Sequence, residues 1–196
     1  MVSATEEEIS SEQENYVNSK PEIWFAIAGL ELDQLLRRTI LSDGGCLDDN
    51  VINAAQSLLK DQYGIAGLQK TTLGYHLQYD VMRREFVQIV HNGDNHWLTL
   101  STIGLQESTA TVNVYDSLYT SLSTSTKMQV CALLCTLNSS IDARCIDTDK
   151  QANISDRGLY AKAFATCLCC GQDPCSIQYC QQKFRKLLPS HACISK

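Results

Sequence analysis

The sequence has little positive charge, no long apolar stretch and no beginning typical of a secreted protein. Lysine and arginine number 16 against 22 aspartates and glutamates, which gives a net charge of −6. The basic residues are scattered, so neither nucleic acid nor an anionic membrane is an expected partner. No run approaches the roughly 20 apolar residues of a membrane-spanning helix. The acidic beginning, MVSATEEEISSEQEN, lacks the basic and then apolar pattern of a signal peptide. We therefore expect an intracellular protein of the cytoplasm or nucleus.

The chain of 196 residues is long enough for one domain with a sizeable core. Residues 1–22 contain too little apolar surface to fold alone, and we expect them to form an acidic mobile tail. Residues 23–196 are expected to form the domain, and a monomer is favoured.

The ten cysteines are expected to be mostly small buried apolar residues, because disulfides are rare in reducing compartments. Two alternatives stay open at the cysteine-rich end of the chain. One is a dimer face through Cys175 or Cys180. The other is a zinc site, which is disfavoured because the paired CxxC knuckles of structural zinc are missing. Its ligands would be Cys167, Cys170, Cys175 and Cys180, and we otherwise expect no metal and no cofactor.

Apolar periodicity predicts an α+β fold. Two short strands around Gly29 are expected within residues 24–32, and a meander of antiparallel strands at 86–91, 96–103 and 111–115. A further strand is expected at 141–147. Helices are expected at 34–41, 49–63, 121–137, 157–170 and 181–188. The helix at 121–137 is expected to turn Met128, Cys131, Leu134 and Cys135 inward, and residues 65–84 to be mostly loop with a short helix near 78–83.

The segment QANISDRGLYAKAFA, residues 151–165, is a polar turn that leads directly into a helical pattern. The first turn of a helix offers free N–H groups and the positive end of the helix dipole, which favour an anion. A cysteine there becomes nucleophilic, and the amide of Gln151 is suited to donate to an oxyanion. Arg157 stands at this position, between Asp156 and Gly158. Its guanidinium is permanently protonated and cannot act as a nucleophile.

His96 opens one predicted strand, and Asp116 closes the next. A histidine held by a carboxylate is the general-base half of a thiol or serine hydrolase. Taken alone, His96 is explained as a half-buried strand histidine and Asp116 as a turn residue. Their order along the chain, ahead of Gln151 and the helix, is what indicates a catalytic set without its nucleophile.

Four segments in this order resemble motifs of the ubiquitin-like protease family, which comprises the SUMO proteases and the adenain-type cysteine peptidases. QANISDRGLYA resembles the active-site segment, in which the family has cysteine between Asp and Gly. NHWLTL, residues 95–100, resembles the His-Trp strand, and VYDSL, residues 114–118, the Tyr-Asp-Ser turn. CLDDNVIN, residues 46–53, resembles the start of the first core helix. The resemblance spans about residues 24–188.

The resemblance implies a papain-like, adenain-type cysteine protease fold with a central mixed, mostly antiparallel sheet flanked by helices. His96 takes the general-base position, Asp116 orients it, Gln151 supplies the oxyanion donor and Arg157 occupies the nucleophile position. The implied partner is a ubiquitin-like modifier, namely SUMO, ubiquitin or NEDD8, or one of its conjugates. A tunnel for the GlyGly tail of the modifier is implied around Trp97, Cys46, Asp48, Asp156 and Gly158.

Two residues depart from the family pattern. Cys46 replaces a second tunnel tryptophan, which predicts a wider tunnel or a weaker grip. Arg157 removes the nucleophile, a loss on the order of a million-fold in kcat, although with cysteine there the chain would hydrolyse a peptide or isopeptide bond. The chain is then either a natural pseudo-enzyme kept as a protein-binding module or a laboratory-inactivated form of an active deubiquitinase or deSUMOylase. We expect the Arg157 side chain to cross the groove and to pair with Asp116 or with a bound carboxylate.

Overall fold

A computed structural model of the protein describes residues 20–105, 110–134 and 140–179. The predicted tail and the predicted helix at 181–188 lie outside these ranges, apart from residues 20–22. The strands are β1 (Ile23–Ile27), β2 (Leu30–Asp33), β3 (Ala66–Gly67), β4 (Phe86–His91), β5 (Trp97–Ser101), β6 (Thr111–Tyr115) and β7 (Asp142–Ile146). The α-helices are α1 (Gln34–Leu41), α2 (Asp49–Tyr63), α3 (Thr124–Leu134) and α4 (Arg157–Cys169), and 3-10 helices cover Thr71–His76 and Pro174–Ser176.

The main sheet has five strands in the order β3-β4-β5-β6-β7. Its centre is the predicted antiparallel meander of β4, β5 and β6, and each edge adds a parallel strand. Side chains alternate along a strand, so β4 turns Val87 and Ile89 towards the core that contains α2 and α4, while Phe86 and Val90 join the core that contains α3. The helices therefore cover both faces of the sheet.

Helix α3 confirms the predicted helix, but its predicted inward face is wrong for two of four residues. Leu134 is partly buried against the core as predicted, and Cys135 lies outside the described residues. Met128 and Cys131 are exposed, whereas Thr126, Gln129, Val130 and Leu133 are buried. Hydrogen bonds of Gln129 explain this orientation of the helix. The side-chain amide of Gln129 donates to the carbonyl of His91 at 2.7 Å and accepts from the Tyr79 hydroxyl at 3.2 Å. These bonds turn a polar residue inward, which a pattern of apolar residues does not register.

The short helix expected near residues 78–83 is also wrong, because helical structure in this region lies at Thr71–His76. Residues 78–80 are held in a loop by the Gln69 side chain. Its carbonyl accepts from the N–H of Asp80 at 2.8 Å, and its amide donates to the carbonyl of Asp80 at 3.0 Å. Both backbone groups that a helix would use are therefore bonded elsewhere.

The seven cysteines within the described ranges are free thiols, and five of them are exposed. The expectation of mostly buried cysteines is therefore wrong for this part of the chain, where only Cys167 and Cys169 are buried. The same ranges contain no cluster of His, Cys, Asp or Glu side chains able to hold a metal ion, and the fourth proposed zinc ligand, Cys180, lies outside them. None of the helices described combines the length and apolarity needed to cross a membrane.

A buried amide network on α2 completes the edge of the main sheet. Strand β3 pairs with β4 only as far as Val87, so the next part of β4 has no partner strand on that side. The side-chain carbonyl of Gln56 accepts from the N–H of Ile89 at 2.9 Å and from the Gln88 amide at 3.0 Å. The Gln56 amide donates to the carbonyl of Gln69 at 2.7 Å. Gln56 thus takes the place of the missing strand.

Replacing Gln56 by leucine is expected to lower the free energy of unfolding by about 2–4 kcal/mol, because each buried polar group left without a partner costs about 1–3 kcal/mol. Urea unfolding followed by circular dichroism measures this change. Gln62→Leu, an exposed position on the same helix, is the control and is expected to shift stability by no more than about 0.5 kcal/mol. Equal effects of the two substitutions would contradict the role of the network.

Candidate active site

The candidate site lies at one end of the main sheet, where β5 begins and β6 ends. Because these strands are antiparallel neighbours, His96 immediately before β5 lies beside Asp116 immediately after β6. Their side chains are joined by a hydrogen bond of 2.7 Å between His96 Nε2 and Asp116 Oδ1, and both residues are buried. The structure thus brings together the two residues that the sequence suggested as a base and its carboxylate.

The Asp116 carboxylate is fixed by the turn that follows it. Its Oδ1 also accepts from the N–H groups of Leu118 at 2.8 Å and Tyr119 at 2.9 Å. The Tyr119 ring stands edge-on against the His96 ring, with centroids 5.2 Å apart. These contacts hold the imidazole in one orientation before any ligand arrives, which is the preorganisation that a catalytic or binding group requires.

The other ring nitrogen of His96, Nδ1, is buried and has no hydrogen-bond partner. Buried polar atoms in proteins are nearly always paired, and exceptions occur at functional sites. With Nε2 held by a carboxylate, Nδ1 is the ring atom free to exchange a proton with a ligand or a nucleophile. The arrangement therefore leaves one ring nitrogen of His96 bonded to a carboxylate and the other able to form a hydrogen bond.

Gln151 lies next to the same turn. Its side-chain oxygen Oε1 accepts from the Ser117 hydroxyl at 2.7 Å, and its backbone N–H donates to the backbone carbonyl of Ser117 at 3.1 Å. Its side-chain amide donates to the carbonyl of Asn153 at 2.7 Å. The amide that the sequence suggested as an oxyanion donor thus reaches the turn before α4, where an internal acceptor now engages it.

Helix α4 begins without a side-chain cap. Asp156 is the residue before it, and its carboxylate accepts from the Asn153 amide at 2.8 Å instead of from the first-turn N–H groups. The first backbone bond of the helix is donated by Tyr160 to Asp156 at 3.0 Å. The first-turn N–H groups therefore donate no hydrogen bond to the Asp156 side chain, and the positive end of the helix dipole lies at this turn.

Arg157, in the first turn of α4, is 8% exposed. Its Nη1 donates to the carbonyl of Ile154 at 3.0 Å, and its Nη2 donates to Asn95 Oδ1 at 2.8 Å and to Cys46 Sγ at 3.5 Å. Its Nε is buried without a partner. The guanidinium therefore joins three segments, namely the residues before α2, the β4–β5 turn and the turn before α4.

The expected pairing of Arg157 with Asp116 is wrong. In the described part of the chain the ion pairs are His96 with Asp116 and Arg144 with Asp142. The physical reason is that Asp116 Oδ1 already accepts from His96 and two backbone groups, whereas the guanidinium is held by Asn95 and Cys46. Arg157 nevertheless affects a neighbouring histidine. Burial is the main cause that lowers the pKa of His91, and the charges of Arg157 and His96 lower that pKa further.

The residues suggested for a substrate tunnel make the following contacts in the structure. Trp97 is buried, its indole N–H donates to the carbonyl of Leu47 at 3.1 Å, and its ring forms a T-shaped contact with the His91 ring. Asp48 caps α2 by accepting from the N–H of Val51 at 3.0 Å, so its carboxylate is committed to the helix. Cys46 is exposed and contacts Arg157 directly.

Gly158 lies where α4 packs tightly on the start of α2. A Cβ atom added to Gly158 would lie 2.9 Å from Leu47 Cβ and 3.4 Å from Ile52 Cδ1. Glycine is therefore required by close packing, and this contact sets the position of the first turn of α4. That turn carries Arg157.

Gly158→Ala is expected to lower the free energy of unfolding by roughly 1–3 kcal/mol, the usual cost of overpacking. The sign of this change shows whether the contact with Leu47 excludes a Cβ atom. In an uncrowded helix, alanine would instead stabilise the protein by roughly 0.5–1 kcal/mol relative to glycine. Urea unfolding of both proteins measures it, and a stabilised variant would show that the contact with Leu47 yields easily.

Asn95 and Asn153 complete the site and were not suggested by the sequence. Asn95 has a positive φ of 63°, a conformation that asparagine tolerates better than most residues. This geometry was signalled by the turn-forming stretch NGDN before the strand. Nothing in that stretch indicates that the Asn95 amide contacts an arginine 62 residues later.

Comparison with known proteins shows similarity in fold. No protein-family model matches the sequence, and no curated protein matches it significantly. Among solved structures, the C-terminal Ulp1 protease domain in complex with Smt3, the yeast orthologue of SUMO, matches with a TM-score of 0.63 and 12% identity, over 97% of this chain and 94% of that one.

The Ulp1-like SUMO protease catalytic domain of Chaetomium thermophilum matches with a TM-score of 0.60 and 18% identity, over 98% and 89% of the two chains. The Xanthomonas campestris effector XopD bound to ubiquitin matches with a TM-score of 0.52 and 13% identity, over 88% and 97%. These matches confirm the predicted α+β fold with its mixed sheet. The chain therefore has the ubiquitin-like protease fold that the Ulp1-type SUMO proteases also have.

Proposed function

We propose that the chain binds the C-terminal tail of a ubiquitin-like modifier at the end of the sheet where His96, Asp116 and Gln151 meet α4, and that it does not cleave the bond. The observation that carries this proposal is a buried His96–Asp116 pair at 2.7 Å with a guanidinium at the position expected for the nucleophile. Structures of the same fold in complex with Smt3 and with ubiquitin support the class of partner.

The lack of cleavage follows from the chemistry of Arg157. Its guanidinium keeps its proton and has no electron pair to attack a carbonyl carbon. The base and the helix dipole then have no nucleophile to act on. Without the nucleophile, a triad enzyme loses on the order of a million-fold in kcat.

Exposed apolar side chains surround the site and suit the docking of a peptide tail. Tyr119 stands against His96 and Leu118 is bonded to Asp116, while Ile154 holds Arg157 through its carbonyl. All three side chains are exposed. A tail that covers them would bury apolar surface directly beside the polar groups of the site.

The alternative that the chain is an inactivated form of an active modifier protease is supported by the intact His96–Asp116 pair. It makes the same prediction for binding and differs only in the origin of Arg157. We further propose that the acting unit is the domain of residues 23–196, as a monomer of the cytoplasm or nucleus. The free thiols of the described residues are consistent with a reducing compartment.

Calorimetric titration of the purified chain with ubiquitin, SUMO and NEDD8 tests the proposal. One modifier is expected to bind, and deletion of its GlyGly tail to weaken binding by roughly tenfold or more, since a central apolar and polar anchor carries at least about 1.4 kcal/mol. Tyr119→Asp is expected to weaken binding equally. Its control is Met128→Asp on α3, because Met128 is 49% exposed and Tyr119 is 46% exposed. Binding of no modifier, or binding that ignores the tail and Tyr119, would refute the proposal.

A further inference from the structure

We infer that Arg157 makes this site a receptor for a free carboxylate, so that the preferred ligand is a mature, unconjugated modifier ending in the carboxylate of its GlyGly tail. A conjugate or an extended precursor has an amide at that position. The inference rests on the proposed function and names the chemical form of the ligand.

Arg157 is buried and forms no ion pair with another residue in the described part of the chain. Its three hydrogen-bond acceptors are the carbonyl of Ile154, the side-chain amide of Asn95 and the sulfur of Cys46. They fix the direction of the guanidinium, but none of them is a carboxylate. The ion pairs among the described residues lie elsewhere. A cation removed from water in this way is stabilised strongly by an anion brought next to it.

The guanidinium lies directly beneath the surface and can be reached by a ligand. Ile154 is 71% exposed, and Asn95 and Cys46 are also exposed. The residues that hold Arg157 thus form a rim above it. A ligand that displaces one of these neutral acceptors would exchange it for a charge-assisted bond, which is shorter and about twice as strong.

A further unsatisfied donor lies on Arg157 itself, whose Nε is buried without a partner. The uncapped first turn of α4, a helix of 13 residues, adds the positive end of its dipole. A carboxylate has two oxygens and about four acceptor positions for such a set, whereas an amide has one neutral carbonyl oxygen and an N–H that competes as a donor.

The contacts of Arg157 also explain why a continuing chain fits poorly. The guanidinium joins the segments of Cys46, Asn95 and Ile154 at the position where the resemblance puts the cleavable bond. A tail that ends there meets the cation with its own terminus. A tail that continues past this position brings a neutral amide to the cation instead of a charge.

The experiment compares one modifier in two chemical forms, using the modifier that binds in the titrations above. One form ends in the natural carboxylate and the other in a C-terminal carboxamide of the same length. The unaltered chain is expected to bind the carboxylate form roughly tenfold or more tightly, as expected for a charge-assisted bond. Arg157→Met is expected to bind both forms alike, at the level of the carboxamide form. Arg144→Met, at an exposed arginine on β7, is expected to keep the preference.

The outcomes separate this inference from the proposed function. Equal binding of both forms by the unaltered chain overturns the inference alone, and this comparison needs no variant that might misfold. If Arg157→Met still prefers the carboxylate form, the inference is also overturned, because another group would then bind the carboxylate. Binding of neither form refutes the proposed function and the inference with it.

Discussion

Arg157→Cys is expected to convert the chain into a thiol enzyme that forms a covalent adduct with a ubiquitin-like modifier bearing a C-terminal electrophile. The substitution places a sulfur in the first turn of α4, where the uncapped helix start favours a thiolate. It also removes the cation and its bonds to Asn95 and Cys46. Turnover of a modifier fused to a fluorogenic leaving group is expected to rise on the order of a million-fold, the factor lost when a triad loses its nucleophile.

The labelled residue must be identified, because Cys46 is an exposed thiol beside the site. The gain is therefore measured in Arg157→Cys combined with Cys46→Ser, and the modified residue is located by mass spectrometry of the adduct. Arg144→Cys, which adds an exposed thiol far along the sheet on β7, is expected to remain unreactive. A protein with cysteine at 157 that binds the modifier but neither labels nor turns over would show that the groove has lost more than its nucleophile.

The arrangement of His96 and Asp116 could be predicted from the sequence because it follows from the topology. A residue that opens one strand and a residue that closes its antiparallel neighbour meet at the same end of the sheet. The apolar runs of β5 and β6 predicted these strands. The polar loop containing Gly104 between them is shorter than the crossover that a parallel pair requires, which predicted their antiparallel direction. The helix after Gln151 was equally clear from its apolar stripe, so the position of Arg157 in its first turn was predictable too.

The surroundings of Arg157 could not be predicted, because they depend on side chains that are distant in sequence. Its contacts with Cys46 and Asn95 span 111 and 62 residues, and no local pattern encodes them. The prediction of which face of α3 is buried failed for a related reason. Gln129 is buried because its amide has two partners on other segments, and hydropathy alone places glutamine outside. In both cases a polar side chain takes its position from its hydrogen bonds.

His96→Ala, made in the Arg157→Cys protein, is expected to reduce turnover roughly 10²–10⁴-fold, the usual contribution of a positioned general base. The reason is that Nδ1 of His96 is the unpaired ring atom that takes the proton of the thiol and later returns it to the leaving group. The measurement is the rate with the fluorogenic fusion at saturating substrate. The control is His76→Ala, at an exposed histidine at the end of the 3-10 helix Thr71–His76. It is expected to leave the rate unchanged.

Because His96 is fully buried, its truncation also risks a loss of structure, and Asp116→Asn separates the two effects. Asparagine keeps an oxygen that accepts from the N–H groups of Leu118 and Tyr119, so the turn and the urea midpoint are expected to be preserved. It lacks the negative charge that stabilises the imidazolium formed during the reaction. A smaller but clear fall in rate is therefore expected for Asp116→Asn, and none for Asp142→Asn, an exposed carboxylate paired with Arg144. Unchanged turnover in Asp116→Asn would mean that the carboxylate serves only the turn, and the His96–Asp116 pair would then be structural.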